Sequence, residues 1–169
     1  MTLTPGADQD EGRPAGLTHV DARGQARMVD VSAKAITARS ASAAGKVLCS
    51  ARVLALLRGD GVPKGDALAV ARLAGIQAAK RTPDLIPLAH PIAVHAVVVD
   101  LNLQDDGVEI RATVRTADRT GIEMEALTCV AVAALTLVDM IKAVDKQTTI
   151  TDVRVTAKSG GRSGDWTRD

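Results

Sequence analysis

The chain has 169 residues, 24% of them charged, with a net charge of +1. That length suits one domain, and so small a net charge gives no whole-molecule field to draw in nucleic acid or a membrane surface, so any anion site must be a local cluster. One Trp and no Phe or Tyr leave a core of Ala, Val, Leu, Ile and Met, without the stacking platforms of a single-strand nucleic-acid binder.

Residues 1–16 are polar and carry Pro5, Gly6, Gly12 and Pro14. They read as a disordered lead-in to a single domain over 17–169. Lacking an apolar signal core, the N-terminus makes the cytoplasm the expected compartment. No apolar run reaches about 18–20 residues without polar interruption, so no membrane span is expected. From Ala35 to Cys49 the pattern is short, partly β-branched and extended. Ser50 is placed to cap a short helix over Ala51–Arg58 that Gly59 ends. Asp66 can cap a second helix reaching Lys80 or Arg81, with Leu68, Ala71, Gly75, Ala78 and Ala79 at helical spacing and Pro83 as its stop.

Pro87 and Pro91 hold His90 in a stiff, non-helical segment. Two strands follow, Ile92–Leu103 and Val108–Thr116, joined at Asp105-Asp106-Gly107. In the second, Val108, Ile110, Ala112 and Val114 face one way and Glu109, Arg111, Thr113 and Arg115 the other, so one face is buried and one wet. A long helix spans about Ile122 to Val144. A last strand, Ile150–Ala157, leads into a Gly-rich basic tail, Lys158–Gly164. The order strand, helices, strand, strand, helix, strand is that of a ferredoxin-like α+β sandwich, an antiparallel sheet packed by helices. Between Ala126 and Val138 the long helix is apolar almost all round, whereas a helix with one face on a sheet is polar on the other. Cover on both sides is expected, by its own sheet and by another subunit, which predicts a homo-oligomer. Cys49 and Cys129 read as buried thiols, neither a disulfide nor a metal pair.

Ionisable residues collect at the ends of these hydrophobic elements. Asp139 and Lys142 share a helix face, as a solvated ion pair or as a lysine held ready to exchange protons; following an unbroken apolar run, the pair is expected to be sheltered. Glu123 and Glu125 complement the dipole of the first helical turn, or line a site. His90 is a plain loop histidine or a site residue, and its spacing from His19 and His95 predicts no metal site. No phosphate-loop or dinucleotide glycine pattern is present, so Lys64, Lys80, Arg81, Lys142, Lys146, Lys158 and Arg162, with the tail glycines, would have to hold phosphates. Like charge disfavours the charged form of a lysine, the usual route to a lysine acid–base near neutral pH.

At these residues the chain resembles the cyclic pyranopterin monophosphate synthase family (molybdenum cofactor biosynthesis protein C). The resemblance runs from Leu17-Thr18-His19 and Met28-Val29-Asp30-Val31 through Lys64-Gly65-Asp66, residues 74–82, 84–88 and His90-Pro91, to residues 123–128, Asp139-Met140, Lys142-Ala143-Val144 and Lys158-Ser159-Gly160-Gly161. It implies a ferredoxin-like fold, a homohexamer built as a trimer of dimers, active sites at the dimer interface, and a small-molecule triphosphate substrate. No cofactor, metal, nucleic-acid or membrane partner is expected. The catalytic residues it implies are Asp139, Lys142 and Lys64; the substrate-binding ones are Leu88, Ala89, His90, Glu123, Met124, Glu125 and Lys158. Ala89 stands where the family usually has Cys, and Val138 where it has an aromatic. These departures keep open an alternative, a catalytically weak paralogue acting as a binding or assembly subunit.

Overall fold

The computed structural model describes residues 20, 23–59 and 62–169. The expected lead-in over 1–16 and His19 lie outside the described residues. The chain forms two compact units, Met1–Asp30 and Val31–Asp169. In the first, Val20 and Ala26 make a single antiparallel bridge. The second contains β1 (Thr37–Leu48), α1 (Ala51–Arg58), α2 (Ala67–Ala79), α3 (Thr82–Leu85), β2 (Ala96–Leu103), β3 (Gly107–Asp118), α4 (Glu123–Ile141), β4 (Thr149–Ser159) and β5 (Trp166–Thr167).

The strands form one sheet in the order β2-β3-β1-β4-β5, every pair antiparallel. The first four strands have the ferredoxin-like order. Period-two patterning decides which face is covered: Val108, Ile110, Ala112 and Val114 of β3 are buried, as are Ala41, Ala43 and Val47 of β1. α4 lies on β1, β3 and β4, and α2 lies on α4 and β2. Gly75 makes the close helix contact possible, because a Cβ there would stand 2.9 Å from the Cys129 carbonyl oxygen and 3.2 Å from the Ala133 Cβ. Cys129 is buried in that contact and Cys49 is half-buried; both are free thiols.

Several expectations shift in detail. Asp66 caps α2 as expected, its Oδ1 accepting the Ala69 N–H at 2.9 Å. Ser50 makes no side-chain cap on α1; its N–H instead donates to Asp145 Oδ2 at 2.8 Å. Pro83 sits in the first turn of α3, where a missing N–H costs nothing. β2 begins at Ala96 and not Ile92: the His95 N–H still donates to the Arg115 carbonyl, but beyond it side chains take over from the ladder, Thr116 Oγ1 donating to the Ala93 carbonyl and His95 Nδ1 accepting the Ala117 N–H. α4 ends at Ile141, after which Val144 bonds back three residues to Ile141. Lys158 and Ser159, expected in the tail, are the last residues of β4, and two-residue β5 pairs with its end.

α4 is one helix long and apolar enough to cross a membrane by length and composition, and 56% of its most apolar stretch is buried inside the fold. Its all-round apolarity has a partly internal cause. Val130, Ala134, Leu137 and Ile141 are buried on the sheet side and Cys129 and Ala133 against α2. A third side, with Met124, Ala131 and Leu135, carries the helix's open apolar residues, Leu135 being 59% exposed.

Candidate active site at the two ends of one helix

At the C-terminal end of α4, Asp139 gathers two lysines. Lys142, one turn on, places Nζ 2.6 Å from Oδ1. Lys64 places Nζ 2.7 Å from Oδ2 and also donates to the Asp139 carbonyl at 2.8 Å. Lys64 reaches it from a tight turn, Val62–Gly65, with Pro63 second and Gly65 last at φ +94°, closed by the Gly65 N–H to the Val62 carbonyl. The two ammonium groups, Lys142 first, hold the Asp139 carboxyl below the usual range, down to about 2. The shelter expected for this pair is absent within the chain: Asp139 and Lys142 side chains are 54% and 60% exposed, because they lie on the third, open side of α4.

At the N-terminal end, Gly121 leaves room for the Glu123 carboxylate, which a Cβ at 121 would strike. Glu123 Oε1 stands 3.5 Å from Lys158 Nζ, and Lys158 donates to Ser163 Oγ at 2.7 Å. Glu125, two residues on, points inward and is 2% exposed. Burial pushes its carboxyl up to about 7; its own N–H opposes that shift and the Glu123 charge adds to it. Met124 between them is exposed. α2 runs antiparallel to α4, since Lys64 just before it meets Asp139 while Gly75 meets Cys129. It therefore delivers α3, which touches α4, and the following Leu88, Ala89 and His90, all half-buried, toward this same end.

The ten residues of the expected site thus fall into two groups: Lys64, Asp139 and Lys142 at one end of α4, and Glu123, Met124, Glu125 and Lys158 with Leu88–His90 at or toward the other. The seven basic residues do not converge either; Lys64, Lys142 and Lys146 belong to the first end. Glu125 and Asp139 are fourteen residues apart on one unbroken helix, about 21 Å along its axis. Val138, just before Asp139, is half-buried. A pocket of about 350 Å³ lies on the opposite face of the sheet, but its Arg111 and Arg154 are already paired with Glu109 and Asp152, and Lys46 with Asp106.

A sequence model of the MoaC family matches residues 28–161, which takes in all ten of these positions. The chain belongs to the MoaC family. A cyclic pyranopterin monophosphate synthase of Streptomyces coelicolor is 66% identical over 166 residues, covering 94% of this chain and 98% of that protein. One from Streptomyces avermitilis is 65% identical, covering 99% of both. Cyclic pyranopterin monophosphate synthase 2 of Mycobacterium tuberculosis is 60% identical over 92% of this MoaC-family chain and 93% of its own length. Sequence reasoning singled out every residue of the two clusters except Ser163, whose partnership with Lys158 depends on the turn after β4.

Proposed function

We propose that this chain is a cyclic pyranopterin monophosphate synthase, a phosphorus–oxygen lyase of molybdenum cofactor biosynthesis. It converts 3′,8-cyclo-7,8-dihydroguanosine 5′-triphosphate to cyclic pyranopterin monophosphate and releases diphosphate. The observation that carries this reading is the near-full-length identity to proteins of that name. Closing a cyclic phosphate forms one P–O bond to a sugar hydroxyl and breaks the P–O bond to diphosphate. The hydroxyl must lose a proton and the departing charge must be held. Lys142, oriented by Asp139, is the proton-exchanging group, and Lys64 shares that work or binds phosphate. Lys158, backed by Glu123, grips phosphate oxygens, as an ammonium does well. Glu125 keeps a proton to near neutral pH and can donate it. Leu88, Ala89, His90 and Met124 shape the substrate's seat.

A substrate of this size cannot touch both ends of one α4. Each site is therefore assembled from the Glu123–Glu125 end of one chain and the Asp139–Lys142 end of a neighbour, and a two-fold contact repeats the arrangement reciprocally. The open apolar side of α4 is the surface for that contact, and three such dimers make the proposed hexamer. The proposed compartment is the cytoplasm, in keeping with a soluble nucleotide substrate. Purified protein incubated with the cyclised nucleotide is expected to release one diphosphate per pterin formed. Binding of the nucleotide without diphosphate release would favour the non-catalytic paralogue.

A further inference from the structure

The turn after β4 rests on a residue with no role so far. Arg39 lies on the helix-covered side of β1, opposite Thr116, and its Nε donates to the Asp118 carbonyl at the end of β3, at 2.9 Å. Gly161 is laid against the same guanidinium: a Cβ there would collide with Nη1 and stand 3.0 Å from Cζ. Gly160 presses equally close on the Ala38 carbonyl. Both glycines have left-handed backbones, φ +84° and +77°, so space and conformation each demand glycine. Beyond them the chain folds back. The Gly160 N–H donates to Asp165 Oδ1 at 3.0 Å and the Gly164 N–H to the Gly161 carbonyl at 3.2 Å. That return brings Ser163 onto Lys158, whose ammonium then faces Glu123.

The geometry points to Arg39 as a positioning residue for the phosphate-holding end of the site. Its guanidinium is the floor of the Gly160–Gly161 turn, and through that turn it sets where Lys158 is presented. This inference rests on the proposed function for its kinetic consequence, but its structural content is independent of it. Arg39 acts through Lys158 and needs no contact with substrate.

The test uses full-length Arg39→Ala, Gly161→Ala, Lys158→Ala and the double variant Arg39→Ala/Lys158→Ala, each with its fold verified by circular dichroism. Two quantities are measured: KM and kcat on the cyclised nucleotide, and the rate at which a small amine-acylating reagent modifies Lys158 in substrate-free protein, read by mass spectrometry. Arg39→Ala and Gly161→Ala are expected to raise KM about tenfold, the scale of one charge-assisted hydrogen bond, with little change in kcat. The double variant is expected to be no worse than Lys158→Ala alone. Lys158 acylation should change several-fold in both single variants. Arg39→Lys, which lacks the planar fork, should behave as Arg39→Ala. Should Arg39→Ala fail to fold, Gly161→Ala displaces the guanidinium from the other side and carries the same expectations. Wild-type KM with wild-type acylation overturns the inference, as does an additive double variant, which would make Arg39 a direct substrate contact. Absence of turnover in every protein, wild type included, would count against the proposed function only, and the acylation rates then decide on Arg39 by themselves.

Discussion

Asp139 is held ionised far below neutral pH by a lysine on each side, so in the proposed mechanism it orients Lys142 and does not itself take a proton. Asp139→Asn is expected to keep the fold and lose about 10²–10⁴-fold in turnover, the range of general acid–base groups; near-wild-type turnover in a folded variant would remove Asp139 from the mechanism. Lys142→Arg keeps a cation but has no proton to exchange in proteins, and should fail with it. Glu125 is the opposite case. Its carboxyl, ordinarily near 4.5, is raised by burial to about 7. Between those values the unfolded chain has lost this proton and the folded chain keeps it, so stability falls as pH rises through that window and levels off above it. Urea midpoints for wild type against Glu125→Gln at pH 5, 6, 7 and 8 should show wild type losing ground up to about pH 7. A pH-independent difference would mean that Glu125 titrates as an ordinary surface carboxyl. Asp139 and Lys142 were legible from their three-residue spacing. The Lys64–Asp139 bond was not, because its partners are 75 residues apart and only the α2–α4 packing joins them. Nor was the depth of Glu125, because acids in a first turn ordinarily point to water. Arg39 carried no motif.

Among the elements, α2 and α4 decide where the two clusters sit. Their contact depends on Gly75, whose Cβ position is filled by the Cys129 carbonyl, a backbone atom that cannot swing aside. Gly75→Ala gains about 1 kcal/mol of helix propensity and loses about 1–3 kcal/mol to overpacking, so a net loss of about 1 kcal/mol is expected in denaturant unfolding. The same displacement would carry Lys64 away from Asp139, and activity should fall further than stability. Unchanged stability would show that parting the helices costs no more than the propensity gained. The alternation of β3, the Asp66 cap and the apolar length of α4 all spoke directly in the sequence, because each is a local pattern with a single physical solution. β5 did not, because two residues cannot display a period. The early end of α4 was equally silent, since Lys142 and Ala143 are good helix formers and the bond of Asp145 to Ser50 joins residues that no local pattern links.

At the scale of the whole molecule, one chain holds two clusters of ionisable side chains about 21 Å apart, with an apolar helix side open between them, and the proposed function makes each cluster half of a site. Periodicity predicted an uncovered face from the all-round apolarity of α4. It could not foresee that α2 would supply part of that cover, because Gly75 discloses its role only against Cys129. What remains open is the side that ends in Asp139 and Lys142, so an antiparallel neighbour on α4 would bury that side and complete both sites together. The direct measurement is subunit complementation. Inactive Glu125→Ala and Lys142→Ala chains are mixed, denatured together and refolded, with exchange verified by mass. Random pairing makes about half the dimers mixed, and each mixed dimer has one intact site, so recovery of up to about a quarter of wild-type diphosphate release is predicted. Verified exchange with no recovered activity would contradict the shared site and remove Glu125 or Lys142 from it.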